Sequence, residues 1–111
     1  MGRFDGKVAV VTGSSSGIGQ AIAVRLGSEG AAVVIDYSRH EEGAKDTQTQ
    51  IQSRNVRARS IIVQADVTKV ADTTKLMDQA WSQLGGCDIL VNNAGIEKGA
   101  DFWDVTEADY D

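Results

Sequence analysis

Apolar residues along the chain fall into two kinds of pattern. Four short runs, 7–12, 32–37, 60–65 and 88–92, are nearly continuous and rich in Val, Ile and Ala. Continuous rather than alternating apolarity predicts strands covered on both faces, hence a parallel sheet. Between the runs lie three segments long enough for crossover helices. The first, about 17–29, places Ile18, Ala21, Ile22, Arg25 and Leu26 at helical spacing, and Gly30 follows as a C-terminal cap. The second, about 41–55, carries a thin stripe of Ala44, Thr47, Ile51 and Val56 amid Gln, Thr and charge, which predicts a solvent-facing helix. The third, about 69–84, reads Val70, Thr74, Met77, Trp81 and Leu84 on one face, with Leu76 and Ala80 beside it. Asp66 or Thr68 is placed to cap its start, and Gly85-Gly86 to end it.

The predicted order is β-α-β-α-β-α-β, half of a doubly wound α/β sheet with helices on both sides. Right-handed crossovers give the strand order 3-2-1-4. The switch point then lies between the first and fourth strands, and ligands of such sheets bind there, outside the carboxyl ends of the strands. Those ends hold Thr12-Gly13 and Asn92-Asn93-Ala94-Gly95. The segment from Ile96 onward reads as a loop entering a helix near Glu107, capped by Asp104 or Thr106. The chain ends about one turn later, so 1–111 is expected to be the first part of a longer single domain.

The most informative polar segment is Gly13-Ser14-Ser15-Ser16-Gly17-Ile18-Gly19, between an apolar run and a helical pattern. Glycines there permit a tight reversal, a close backbone approach to a pyrophosphate, and close helix–strand packing. The helix start then offers amides and the positive end of its dipole to an anion.

Composition narrows the ligand rather than the fold. The 111 residues carry a net charge of −5 with mixed signs and no basic stripe, so nucleic acid is not the expected partner. An anion must therefore be held by local backbone groups. The single cysteine, Cys87, allows no internal disulfide, suggests a reducing compartment and reads as a half-buried thiol. No secretory signal pattern opens the chain, no run approaches a membrane span, and Gly6 stands where a myristoylation signal needs Ser or Thr. A cytoplasmic location is the expectation. His40 is the only histidine and has no metal-binding cluster around it; Trp81 and Trp103 are expected to be packing residues.

Three motifs occur in register: Thr12-Gly13-x-x-x-Gly17-Ile18-Gly19, Asp66-Val67 and Asn92-Asn93-Ala94-Gly95. On these the chain resembles the N-terminal half of a short-chain dehydrogenase/reductase, with a Rossmann-type three-layer αβα fold, over nearly all its length. Asp36-Tyr37 and Gly95-Ile96-Glu97 add a likeness to bacterial glucose 1-dehydrogenases and 3-oxoacyl-carrier-protein reductases. The resemblance implies that Gly13, Gly17 and Gly19 line a dinucleotide pyrophosphate. It implies hydroxyl donors at Ser14 and Ser15 and an amide donor at Ile18. Asp66 would accept from the adenine amino group beside the Val67 backbone, and Asn93, Ala94 and Gly95 would flank the riboses. Asp66 as a plain helix cap, and Asn92 as a turn holding strand 4 to strand 1, are the structural alternatives.

Cofactor choice rests on Asp36-Tyr37-Ser38-Arg39-His40. The usual NAD-selecting acid position holds Tyr37; Asp36 is one residue early, and alternation aims it at the opposite face. Ser38 and Arg39, next to Tyr37 as a further cofactor-binding residue, are placed to receive a 2′-phosphate, with Arg39 and His40 as a solvated loop the plain alternative. NADP(H) is favoured over NAD(H). The family's catalytic Ser and Tyr-x-x-x-Lys pair have no counterpart here: Glu41 follows Tyr37 by four, and one residue follows Tyr110. Expectations therefore divide between an N-terminal part of an NAD(P)-dependent sugar, alcohol or ketone oxidoreductase, and a non-catalytic dinucleotide-binding or self-associating half domain. Run 88–92 would be an uncovered sheet edge, so a homo-oligomer is expected.

Overall fold

The structure is a computed structural model and describes residues 2–93. The predicted helix at Glu107, Trp103 and the site positions Ala94 and Gly95 lie outside the described residues. The elements are β1 (Val8–Val11), α1 (Gly17–Ser28), β2 (Ala32–Tyr37), α2 (Glu41–Arg54), β3 (Ser60–Gln64), α3 (Val70–Gln79) and β4 (Ile89–Val91). All pairings are parallel and the strand order is β3-β2-β1-β4, as the apolar runs predict. β1 lies inside the described sheet, and Val8 to Val11 are all buried because both faces of the sheet are covered.

Alternation divides the core. Ala9, Val11, Val33 and Ile35 face α1 and α2, joined by Ala23, Leu26, Ala44 and Ile51. Val8, Val10, Val34 and Val63 face α3, joined by Leu76, Ala80 and Leu84. α1 ends as its glycine predicts: Gly30 has φ +106°, its amide bonds the Gly27 carbonyl at 3.2 Å, and the Ala31 amide bonds that of Leu26 at 3.1 Å.

Three expected faces are rotated or divided. In α1 the buried side is Gly19, Ala23, Leu26 and Gly27, while Ile18 is 57% exposed, because the glycines let this side approach the sheet and α2 most closely. Val56 falls beyond α2 and is 88% exposed. In α3 the sheet-facing residues are Leu76, Ala80 and Leu84, whereas Val70 is 84% and Trp81 63% exposed. Trp81 thus does not pack into the core of the described residues. α3 continues into a π-helical turn, Ala80–Leu84, closed by Gly85 at φ +88°. The wider turn lets residues 76, 80 and 84 stay on one side at a spacing of four. Neither Asp66 nor Thr68 caps α3: its N-cap is Lys69, without a side-chain bond.

Candidate functional site: the β1–α1 turn

The turn after β1 is shaped by two glycines in the left-handed region, Gly13 at φ +60° and Gly17 at φ +57°. Gly19 serves closeness instead. A Cβ there would lie 2.2 Å from the Gly13 carbonyl oxygen and 2.4 Å from Asn93 Nδ2. The turn is folded against the start of α1 with no room for any side chain.

Its inner surface is held by a network of hydrogen bonds. The Gly13 amide donates to Asp36 Oδ2 at 3.2 Å, and Asn93 Nδ2 donates to the Gly13 carbonyl at 3.1 Å. Ser14 is buried; its hydroxyl donates to the Val11 carbonyl at 2.7 Å and accepts from the Asp36 amide at 2.9 Å. The Ser14 amide donates to the Asp36 carbonyl at 2.9 Å. Thr47 of α2 donates its hydroxyl to the Ser14 carbonyl at 2.7 Å, and Gln20 Nε2 donates to Thr47 Oγ1 at 2.9 Å. Gly43 brings α2 to the turn so closely that a Cβ would meet the Ser15 carbonyl oxygen at 2.1 Å.

The outer surface is of the opposite kind. Ser16, Gly17 and Ile18 are exposed, and Ser15 is partly so. Ser16 is the N-cap residue of α1 yet supplies no cap bond, and the first turn of α1 contains no acidic residue. The amides of Gly17, Ile18 and Gly19 head the helix, where its geometry provides no intrahelical acceptor. Inward carbonyls and a helix start without a capping side chain leave the outer surface rich in amide donors.

This arrangement corrects the expected role of Ser14. Its hydroxyl, amide and carbonyl are all bonded inside the fold, so it frames the turn instead of presenting a donor. Gly13 likewise turns both of its peptide groups inward. Ser15, Gly17, Ile18 and Gly19 are brought together at the mouth.

The neighbouring strand ends complete the surroundings. Thr12 ties β1 to β4: its amide donates to the Val91 carbonyl at 3.0 Å and its hydroxyl to Asn92 Oδ1 at 3.3 Å. The structural reading of Asn92 is therefore the one its contacts display. Asn93 is fully buried. After β3, Asp66 Oδ1 accepts from the Thr68 amide at 3.0 Å and its hydroxyl at 2.6 Å, while the Asp66 amide donates to Asp72 Oδ2 at 2.8 Å. Asp66 thus closes its own turn. The Val67 side chain packs against the α3-side core.

At the end of β2 the two faces separate as alternation predicts. Asp36, in register with Val63, is 2% exposed and held under the turn. Tyr37 packs against the α1–α2 side, and burial, then Glu41, raises its phenol above the ordinary range. Ser38 and Arg39 are exposed, and Arg39 enters no ion pair among the described residues. Cys87 is half-buried, with its thiol raised chiefly by burial. No group of His, Cys, Asp or Glu among the described residues is suited to a metal ion.

The spacing of glycines made the turn legible. What sequence reasoning missed is its buttress: Asp36 as a ligand of the Gly13 amide, and Gly43, Thr47 and Gln20 on the α2 side. Thr47 interrupting the apolar stripe of α2 was the available signal.

The sequence matches the short chain dehydrogenase family over residues 7–111, and the chain belongs to that family. It is 47% identical over 109 residues to a probable tetrahydroxynaphthalene reductase of Zymoseptoria tritici, covering 98% of this chain and 40% of that protein. It is 48% identical over 109 residues to a versicolorin reductase of Emericella nidulans, with the same coverage. Among solved structures, an angucycline C-6 ketoreductase with bound NADP superposes with a TM-score of 0.74 at 36% identity, over 85% of this chain and 38% of that one. A short-chain dehydrogenase/reductase of Serratia marcescens gives 0.76 at 39% identity, over 81% and 36%. The chain spans about 40% of the length of the curated relatives it matches. These relatives are oxidoreductases; a particular likeness to glucose 1-dehydrogenases does not emerge from them. No helix of the described residues is long and apolar enough to cross a membrane.

Proposed function

We propose that this chain is the dinucleotide-binding portion of a longer NAD(P)-dependent ketone reductase. The observation that carries the reading is the two-sided β1–α1 turn, with carbonyls locked inward and an uncapped helix start facing outward. The space a Cβ would fill at Gly19 is the space the turn needs to close. Such a surface fits a pyrophosphate, which brings its own acceptors and negative charge.

In this reading Ser15, Gly17, Ile18 and Gly19 hold the pyrophosphate. Asp66 and Val67 border the adenine, and Asn93, Ala94 and Gly95 border the riboses. Asp36 is bonded to the turn and buried, so it is not the acid that selects NAD by holding a ribose hydroxyl. Arg39 and Ser38, exposed at the end of β2 beside Tyr37, suit a 2′-phosphate, which supports NADP(H) with NAD(H) as the weaker ligand. When bound, the nicotinamide supplies the hydride. The residues that exchange the substrate's proton, a Ser and a Tyr-x-x-x-Lys pair by family resemblance, are not in this sequence. The names of the relatives support a cyclic ketone or polyhydroxylated aromatic substrate over a sugar.

Titration calorimetry of the chain with NADPH, NADH and AMP tests the reading. Saturable heat is expected with all three and is strongest with NADPH. Arg39→Ala should remove the preference for NADPH over NADH. No saturable heat at millimolar ligand would refute the site.

A second reading is favoured by β4, a three-residue strand at the edge of the described sheet, together with the exposed Val70 of α3 and Trp81 of the π-helical turn. We infer that the isolated chain self-associates through this side. A clean monomer in sedimentation at tens of micromolar would refute this.

A further inference from the structure

Asp36 grips the turn with three bonds: its carboxylate to the Gly13 amide, its carbonyl to the Ser14 amide, and its amide to the Ser14 hydroxyl. Asn93 holds the opposite end of the Gly13 residue through the carbonyl. Each buttress leaves one buried oxygen, Asp36 Oδ1 and Asn93 Oδ1, without a partner among the described residues. A buried amide oxygen tolerates that better than a carboxylate, whose charge needs compensation.

We propose that Asp36 is the positioning residue of the dinucleotide turn, and that anion binding on the outside of the turn is coupled to proton binding on Asp36 beneath it. The inference rests on the dinucleotide reading and deepens it. The groups facing the carboxyl are the amides of Gly13 and Ala65, the Asp66 carboxylate after β3 and Lys75 of α3. Tyr37 lies on the other face of the sheet. Burial is the largest influence and pushes the carboxyl up to about 6; the two amides and Lys75 pull down, and Asp66 pushes up.

A phosphate seated on the turn adds a second negative charge close to this carboxylate. It favours the neutral acid, so binding takes up a proton at Asp36. Linkage then requires affinity to rise as pH falls through the carboxyl's range. For one charge pair at partly screened range the change is about fivefold between pH 8 and pH 5.

The test uses NADH, which lacks a 2′-phosphate that titrates in the same window. All proteins carry His40→Asn, since His40 is the only histidine. Calorimetric affinities of the parent, Asp36→Asn and Asp36→Ala are compared from pH 5 to 8. The parent is expected to weaken about fivefold with rising pH. Asp36→Asn, which keeps an oxygen on the Gly13 amide without charge, is expected to bind at pH 8 as the parent does at pH 5. Asp36→Ala is expected to bind about tenfold more weakly than Asp36→Asn at every pH, because the grip on Gly13 is gone. Equal affinities of the Asn and Ala proteins would overturn the positioning role. A parent-like pH slope in the Asn protein would overturn the coupling. Thermal unfolding without ligand over the same range separates the two readings. A slope present in the parent and absent in Asp36→Asn supports the buried carboxyl even where NADH fails to bind, and that failure would overturn both the coupling and the dinucleotide reading.

Discussion

The two faces of the sheet are finished to different degrees. On one face, α1 and α2 pack on β1 and β2 and also on each other. Gly27 lies so near Ile51 that a Cβ would come within 2.6 Å of it, and the Gln20–Thr47 bond seals the seam toward the turn. On the other face α3 stands alone among the described residues. It turns Leu76, Ala80 and Leu84 to the sheet and leaves Val70 and Trp81 in the open. A helix with apolar residues on two sides is one that packs on two sides. The β1–α1 turn is nonetheless held from both sides: by Gly43 and Thr47 of α2 on the finished face, by Asp36 on the other, and by Asn93 after β4. Of the two helical faces, α2 touches the turn directly, through Gly43 and the Thr47 hydroxyl.

The largest effect that would break this comparison is at the turn itself. Gly19→Val drives a side chain into the Gly13 carbonyl and Asn93, so the turn must open. Dinucleotide affinity should fall at least about a hundredfold, and stability by about 3 kcal/mol or more, measured by calorimetry and denaturant unfolding. Parent-like binding by this variant would show that the turn is not closed as described.

Next come the two core faces. Ile51→Ala removes the α2 anchor and Leu76→Ala the α3 anchor, and each should cost about 2–5 kcal/mol. The comparison predicts that only Ile51→Ala also weakens dinucleotide binding at equal folded fraction. Equal loss of binding in both would remove the asymmetry.

The pH dependence of stability is a comparable effect of different origin. A carboxyl raised from 3.8 to about 6 keeps the folded state protonated where the unfolded state is not. The unfolded chain binds fewer protons in that window, so stability falls as pH rises. Asp36 should therefore contribute its stabilisation below pH 4 and lose it through pH 6, by at most about 3 kcal/mol. Asp36→Asn should flatten that part of the profile in thermal unfolding.

The smallest effect sharpens the contrast from the open side. Trp81→Ala should change the stability of this chain by less than about 0.5 kcal/mol, although tryptophan is the largest side chain. In a longer polypeptide that covers α3, the same substitution should cost several times more. Denaturant unfolding of both proteins reads the difference.

Among the described residues the apolar runs and glycine spacing were enough to predict each strand, the three α-helices and the strand order, though not the π-helical turn, because a strand buried on both faces has to be apolar throughout. The face of a helix was less legible. Ile18 and Trp81 are apolar at helical spacing, but spacing alone does not say which of two apolar sides meets the sheet. In α1 and α2 the glycines at 19, 27 and 43 decide it by closeness, and a closeness depends on what lies opposite. The site divides in the same way. Gly13, Gly17 and Gly19 announce a turn, whereas the inward orientation of Ser14 depends on a strand 22 residues away.

By itself the sequence determined the parallel half sheet, the place of the switch point and the glycine turn that opens α1, since these follow from local periodicity and from backbone conformations that glycine permits. Only the tertiary structure decided that Gly13 and Ser14 bond inward, that Asp36 sits under the turn as a buried carboxyl, and that α3 shows a second apolar side. Those are properties of pairs of residues distant in the chain, and hydrogen bonding and burial assign them only once the strands lie side by side.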